Sequence, residues 1–493
     1  MLRSFRAWAP VADEKWFFDK SVWQKMFRAM SGCGFDSMVF ANARISGEDP
    51  TSDFAAMRDW ILRSTPDYGI TPYLAVDPKR DFGPSGTAEQ AHDAFRAFLE
   101  THAELKGVFV DVSDGADYVQ RVIVDALDAA RPDAPLYLEG LDGPEGIVGA
   151  ITRRGSRPIR YSVKYTHECL VDASPDPAFS AWVEAAGAEN ISAEIVASNF
   201  EPWTSFSYDT VEGVLSNLEE LGCDGLSLYP LARGEWPRCS DTLFKLQWQR
   251  DYVWYSVWGG TGVQQLARQG LPKWLVRNSR LVPGFEAGSR VLEILSLYFA
   301  GDKRGSWCAR TCSVVDETGS HVFSIEDMLR LDDMPAFSGR DWWEEISGDA
   351  VVHLREYIDS GTPEDAYGPE ELIEELSDLS QQAVAAGEKG MRNASGEKEL
   401  PSLSRDAFCM GRLGEFYVER LRAALSHARG ADAEAVEHLA RALGLYRELV
   451  EVDSSHREGI DWTAIVRALE AEQADASKGV WSRGGEYPMP ART

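Results

Sequence analysis

The first 260 residues repeat one pattern: a short apolar run rich in Val, Ile, Phe and Tyr, a polar cluster, then an amphipathic segment. Alternation of that kind marks βα units on a parallel sheet. Strands are expected at 4–10, 36–42, 70–77, 106–112, 135–141, 159–165, 191–198 and 225–229. Helices are expected at 20–30, 53–63, 88–104, 116–130, 144–152, 176–186, 210–221 and 242–258. Eight strands, each followed by a helix, is the count at which a parallel sheet closes into a barrel with a filled interior. An open doubly wound sheet is the competing topology, and no GxGxxG turn follows the first strand to favour it.

After Trp258 the pattern changes to helical periodicity, clearest at 289–298, 370–385, 405–428 and 433–450. The stretch 275–352 is less regular, 388–403 reads as an exposed loop rich in Gly, Ser and charge, and the last dozen residues read as a frayed tail. The expected fold is therefore α/β: a (β/α)8 TIM barrel over 1–260, followed by a mainly α-helical C-terminal domain over 261–493 whose apolar stripes pack on one another and on the barrel.

A chain of 493 residues with sixteen tryptophans has ample material for more than one core. It has no run of eighteen apolar residues, and MLRSFRAWAPVADE lacks the apolar centre of a signal peptide. A soluble, cytoplasmic chain without membrane attachment is expected. The seven cysteines form no paired CxxC spacing, and Cys308 with Cys312 reads as a pair of buried thiols. A net charge of −29 and twelve lysines against 38 arginines argue against a nucleic-acid partner, which needs a basic face. An anionic substrate requires a pocket that is locally basic.

The stretch from Arg160 to Trp203 holds most of the chemistry. It reads RYSVKYTHECL, then a helical connection, then ISAEIVASNFEPW: two apolar runs that stop in ionisable residues. Barrel active sites are built at the carboxyl ends of the strands. Those ends supply Asp13, Asn42, Asp77, Asp111, Asp114, Glu139, Asp142, Lys164, His167, Glu168, Glu201 and Tyr229. Some strand-end Asp residues serve as helix caps instead; Asp53 and Asp176 open helices.

Glycosidic bond hydrolysis needs one carboxylic acid to protonate the leaving oxygen and a second carboxylate to attack or to activate water. Glu168 and Glu201 close neighbouring strands, and Asp111, Asp114 or Glu139 face them across the mouth. Trp203, Tyr165, Tyr229 and Trp236 stand near the rim as candidate sugar platforms, whereas Trp248, Trp254 and Trp258 at helical spacing belong to packing. Lys164 and His167 flank Glu168, and Arg44, Lys79 and Arg80 follow strands two and three. A lysine at an enclosed mouth must meet an anion; for Lys164 this is Glu168 or Glu201, or a substrate carboxylate. The chain has no HExxH, GxSxG or phosphate-loop motif, so neither a metal nor another cofactor is expected.

These strand ends, VFVDVSDG, SVKYTHE and SNFEPW, together with LQWQRDYVWYSVWGG and HREGIDWTAIVRALEAE, resemble the catalytic core of glycoside hydrolase family 67, the α-glucuronidases. The resemblance implies Asp114 as general acid, Lys164 on the lysine of the family's Gln-Ile-Lys type strand, Glu168 one position short of its acidic residue, and Glu201 on its second base. It also implies inversion, with two carboxylates activating water. Asp114 is one methylene shorter than the family's Glu.

The reading is a glycoside hydrolase acting on oligosaccharides, uronic-acid-bearing ones included, with Glu168, Glu201 and Asp114 catalytic. Lys164, His167, Tyr165, Trp203, Asp111, Glu139, Asn42 and Tyr229 line the substrate site. The rival readings are a uronate lyase or isomerase using Tyr165, His167 or Lys164 as base, and a non-catalytic sugar-binding barrel. Trp342 and Trp343 suggest a homodimer contact through the helical part.

Overall fold

The computed structural model describes residues 1–8, 15–46, 52–82, 87–112, 115–140, 143–144, 157–166, 170, 172–197, 203, 208–231, 236, 239, 244–260, 278–299, 307–316, 319–334, 350–363, 365–392, 399–453 and 461–482. Eight strands, β1 (Leu2–Trp8), β2 (Ser37–Ala41), β3 (Thr71–Val76), β4 (Val108–Asp111), β5 (Leu136–Glu139), β6 (Ile159–Lys164), β7 (Ile191–Ile195) and β8 (Gly225–Leu228), form a closed barrel in sequence order. All neighbours are parallel, and β8 closes on β1. The expected (β/α)8 barrel is the fold observed.

Helices α1 (Lys20–Cys33), α2 (Ser52–Ser64), α3 (Ala88–Thr101), α4 (116–130, with a π turn at Gln120–Val124), α5 (Pro177–Ala186) and α6 (Tyr208–Leu221) surround the sheet. In α1 the residues Trp23, Met26, Phe27, Met30 and Cys33 recur at helical spacing, so one apolar stripe is buried against the strands. Its start is fixed by Asp19, whose carboxylate accepts from the Ser21 amide at 2.9 Å. Asp176 caps α5 in the same way.

Side chains alternate across each strand. One face of β3, β4 and β5 points inward and places Tyr73, Phe109 and Tyr137 in the lumen, with Phe109 and Tyr137 stacked at 4.2 Å. Below them, Asp224 accepts from the Tyr137 hydroxyl at 2.8 Å and from Arg160 at 2.6 Å. A hydrogen-bonded plug thus spans the lumen at the amino ends of the strands.

The segment expected as one helix at 242–258 is instead a short helix, Gln247–Arg250, and α7 (Tyr252–Trp258), which break at Asp251. The side chains of Arg250 and Asp251 pair there, both fully buried. Trp248, Trp254 and Trp258 are buried, in keeping with a packing role. The helix expected at 144–152 lies almost wholly outside the described residues.

Beyond the barrel come α8 (Val282–Phe299), α9 (Pro369–Arg392), α10 (Glu399–Ala428), α11 (Asp432–Val452) and α12 (Trp462–Ala476). Leu281, Phe285, Ala386, Leu400, Leu403 and Ala407 join the barrel's core, which ties this region to the barrel by shared apolar burial. The expectation of a loop at 388–403 is corrected. Residues 388–392 and 399–403 are helical, with Leu400 and Leu403 buried rather than in an exposed loop. The less regular stretch contains a three-stranded antiparallel sheet, β9 (Trp307–Cys308), β10 (Ser313–Asp316) and β11 (Gly319–Val322), whose strands are too short to show an alternation.

Cys312 is buried but Cys308 is only partly so, and the six described cysteines are free thiols. Trp342 and Trp343 lie outside the described residues. No helix among the described residues is long and apolar enough to cross a membrane.

Candidate active site

The inward faces at the open end of the barrel carry Arg6 on β1, Asp111 on β4, Glu139 on β5, Lys164 on β6, Glu194 on β7 and Tyr229 just after β8. Each is reached by the same two-residue alternation that puts Phe109, Tyr137, Ser162 and Ser227 one layer deeper. The result is a cup with acids on several sides and a buried guanidinium at its base.

Arg6 organises the base. Both of its terminal nitrogens donate to Glu139, one of them at 3.3 Å, and Nε donates to the Ser227 hydroxyl at 3.0 Å. The nitrogen that meets Glu139 Oε1 also lies 3.7 Å from Glu194 Oε1. The guanidinium rests 4.6 Å from the centre of the Tyr229 ring and 5.3 Å from that of Phe109. Burial works against its charge, but Glu139, Tyr229 and Glu194 outweigh that and hold it protonated.

Glu194 is in a different environment from Glu139. Its carboxyl accepts from the Ser162 hydroxyl at 2.7 Å and from the Tyr229 hydroxyl at 3.2 Å. Burial and then repulsion from Glu139 push its pKa upward, while Arg6, Ser162 and Lys164 pull the other way. Two carboxyls share one cation, one gripped by it and the other held mainly by neutral hydroxyls. With its pKa raised, Glu194 is the member of the pair that its surroundings favour as a proton carrier.

Lys164 is exposed at the end of β6, paired in register with Glu194. Asp111 pairs in register with Glu139, and its carboxylate lies against Gly140, where an added Cβ would come within 2.5 Å of Oδ1. Gly140 has φ +72°, which frees the chain to turn away directly after Glu139.

The neighbouring rim is held by Asp81, fully buried, which accepts from the amides of Arg44 at 2.7 Å and Asp77 at 2.9 Å. Burial pushes its carboxyl up to about 6. Asn42 and Arg44 both adopt left-handed backbone there, and Asn42 accepts from Arg80 at 3.2 Å.

Of the expected substrate-site residues, the cup brings together Lys164, Asp111, Glu139 and Tyr229; Asn42 stands on the rim. Two belong elsewhere. Tyr165 points outward, fully buried against Phe179, with its hydroxyl donating to the Ala173 carbonyl and accepting from Asn217. It sits one residue past Lys164, and the alternation turns it to the opposite face. Trp203 is 1% exposed in the core of the helical region, and its indole nitrogen donates to Asp453 at 3.2 Å. Neither ring has a face open to a sugar. Trp236 is partly buried against the barrel core.

Asp114, Glu168, Glu201 and His167 lie outside the described residues, as do Asp13 and Asp142. Arg6, Glu194, Ser162 and Asp81 were not anticipated. The signal for Glu194 was present: in ISAEI, Ser192 and Glu194 share one face of a strand whose other face is Ile191, Ala193 and Ile195.

No protein-family model matches the chain, and no curated protein matches its sequence. Among solved structures the chain is similar to a GH138 enzyme targeting pectin rhamnogalacturonan II, at TM-score 0.77 and 16% identity, over 97% of this chain and 83% of that one. It is also similar to a mutant of the O-GlcNAc hydrolase of Thermobaculum terrenum, more loosely, at TM-score 0.44 and 8% identity over 97% and 96% of the two chains. The second likeness is too loose to bear on the site. The first takes in the helical region as well as the barrel, so the architecture matches that of a glycoside hydrolase; family 67 is not shown.

Proposed function

We propose that this chain is a glycoside hydrolase that cleaves oligosaccharides, uronic-acid-bearing ones included, by carboxylate acid–base catalysis. The observation that carries the reading is the pair Glu139 and Glu194 at the open end of the barrel, unequal in environment and joined through Arg6. In the proposed reaction Glu194 delivers its proton to the leaving oxygen as the glycosidic bond breaks, while the Glu139 carboxylate, gripped by Arg6, faces the developing oxocarbenium ion or activates water. Asp114, Glu168 and Glu201 follow strands β4, β6 and β7 in sequence and remain candidates for the same acid and base roles. Lys164, a cation exposed at the mouth, suits a substrate carboxylate. The architecture shared with an enzyme that targets a pectin supports the choice of substrate class.

The test is a screen of the purified chain against glucuronosyl, galacturonosyl and neutral oligosaccharides, with products read by mass. Hydrolysis adds one water across the cleaved bond; an unsaturated product of lower mass indicates a lyase and rejects the proposal. Hydrolysis that survives undiminished when Glu194→Gln and Glu139→Gln are each introduced takes the acid and base roles away from that pair and leaves them to Asp114, Glu168 and Glu201.

A further inference from the structure

Glu194 has little surface through which to meet a substrate: its side chain is 6% exposed, and its two oxygens are held unequally. Oε1 accepts from the Ser162 hydroxyl at 2.7 Å and lies 3.7 Å from an Arg6 nitrogen, so negative charge on Glu194 is favoured on that oxygen. Among the described residues, Oε2 has the Tyr229 hydroxyl, at 3.2 Å, as its hydrogen-bond partner. A proton on Glu194 therefore belongs on Oε2, and in the protonated acid the contact reverses: Oε2 donates and the tyrosine oxygen accepts. Tyr229 itself is only half-buried, just past the end of β8 at the open end of the barrel. The Arg6 guanidinium, 4.6 Å from the centre of its ring, is a cation placed to stabilise electron density that builds on the phenolic oxygen during a transfer. Tyr229 has other interactions besides these; its geometry toward Glu194 and Arg6 is what bears on the chemistry.

We propose that Tyr229 is a catalytic residue of the cup, a relay that carries the Glu194 proton to the glycosidic oxygen. The bond between the anomeric carbon and that oxygen breaks with its electron pair going to the oxygen. In the same event the oxygen takes the phenolic proton, and the tyrosine oxygen takes the proton from Glu194 Oε2. Tyr229 ends neutral, and Glu194 ends as a carboxylate whose Oε1 already has Ser162 and Arg6 beside it. The water consumed leaves its hydroxyl on the anomeric carbon and its proton on the enzyme, which returns Glu194 to its starting state. Tyrosine is able to give and take a proton in this way, and a general acid acts through one intervening hydroxyl as it does through one water. The arrangement lets the acid stay buried, where desolvation favours its protonated form, while the more exposed residue meets the substrate. The relay rests on the glycosidase reading above, with Glu194 as its acid.

Two leaving groups test it. One substrate is the oligosaccharide cleaved best in the glycan screen, whose leaving sugar oxygen needs a proton. The other is the 4-nitrophenyl glycoside of the sugar on the glycosyl side of the cleaved bond, whose leaving phenolate hardly needs one. Tyr229→Phe keeps the ring beside Arg6 and loses only the hydroxyl. On the oligosaccharide, Tyr229→Phe and Glu194→Gln are each expected to lower kcat/KM by about a hundredfold or more, to within about tenfold of one another. The double variant is expected to fall no further than Glu194→Gln alone, because the two groups act as one unit. On the nitrophenyl glycoside both losses are expected to shrink to about fivefold or less. If Glu194→Gln shows this contrast but Tyr229→Phe keeps more than about ten times its oligosaccharide activity, the relay is overturned and Glu194 protonates the oxygen directly. A loss in Tyr229→Phe that is equal on the two substrates also overturns it, and makes Tyr229 a sugar contact. If Glu194→Gln shows no contrast between the leaving groups, Glu194 is not the acid and the relay falls with that assignment. A wild-type chain that hydrolyses neither substrate ends the glycosidase reading and the relay together. Should Tyr229→Phe not fold, as judged by near-ultraviolet circular dichroism, Tyr229→Met also lacks the hydroxyl and is read against the same thresholds.

Discussion

Arg6 and Glu139 sit on β1 and β5, diametrically opposite strands of an eight-stranded ring, and their side chains meet across its full width. The guanidinium thereby neutralises a carboxylate at 13% exposure and steadies a second, Glu194, at 6%. Removing it leaves both acids buried without their cation. Arg6→Met is expected to destabilise the fold by about 3–5 kcal/mol at neutral pH, the usual cost of breaking a buried pair from one side. Arg6→Lys should cost less but not nothing, since an ammonium cannot grip both Glu139 oxygens in the same fork. Urea midpoints at pH 7 and pH 4 check this, and the deficit of Arg6→Met should shrink at the lower pH as the acids protonate.

Glu194 makes a separate prediction because its folded pKa is raised, with burial the largest cause and Glu139 the next. Between the unfolded and folded ionisation points the native state holds a proton that the unfolded chain has released, so this group's contribution to stability falls as pH rises. Glu194→Gln removes that falling contribution. The variant should therefore gain stability relative to wild type as pH rises through the window, while kcat falls by about a hundredfold or more for want of an acid. Stability curves against pH for the two chains, together with turnover, test both halves. A variant that loses stability with rising pH relative to wild type contradicts the assignment.

Asp81 follows the same sign at a defined pH. Burial raises its carboxyl to about 6 in the fold against the ordinary aspartate value when unfolded, so its contribution to stability declines between about pH 4 and pH 6. Asp81→Asn keeps one acceptor for the amides of Arg44 and Asp77 and has no charge to desolvate. The stability of the variant minus that of wild type should become more favourable across that interval and level off above it. Urea denaturation in steps of half a pH unit reads the difference directly.

Lys164 bears on specificity rather than folding, as its exposed side chain costs little to replace. Lys164→Met is expected to raise KM for uronic-acid-bearing substrates by about tenfold, the loss of one charge-assisted contact, and to leave KM for neutral ones unchanged. Parallel kinetics on the two substrate classes measure it; an equal rise for both assigns Lys164 to the architecture of the cup instead.

The barrel was legible because its signal is local and repeated. The run expected at 70–77 is the strand Thr71–Val76, and that expected at 36–42 is Ser37–Ala41, each bounded by the residues that end its pairing. Lys164 and Glu139 were legible for the same reason, standing where strands stop. Glu194 was not, because it lies inside an apolar run where only the period-two alternation marks it, and attention to strand ends passes over it. Trp203 was placed at the rim by its neighbour Glu201, while the residue that decides its position is 250 places further along the chain. No local pattern carries such a contact. The Gly- and Ser-rich stretch around 388–403 misled in the opposite direction: Gly387 and Gly390 occur in a helix because Ser404 and Phe408 of the next helix press against them, leaving no room for a Cβ.

Gly140 is where the backbone and the chemistry of the cup are coupled most tightly. Its φ of +72° disfavours any side chain, and a methyl there would also press on the Asp111 carboxylate. Gly140→Ala should therefore cost about 1–3 kcal/mol in backbone strain, with a further cost from displacing Asp111. A double-mutant cycle separates the two. In an Asp111→Ala background the oxygen that obstructs the methyl is gone, so Gly140→Ala should cost only the strain. The double variant should then be more stable than the sum of the single changes predicts, by about 0.5–3 kcal/mol. If the two changes add without coupling, the methyl is accommodated by movement of the chain after Glu139 rather than by movement of Asp111. Turnover in Gly140→Ala would then report on Glu139 instead.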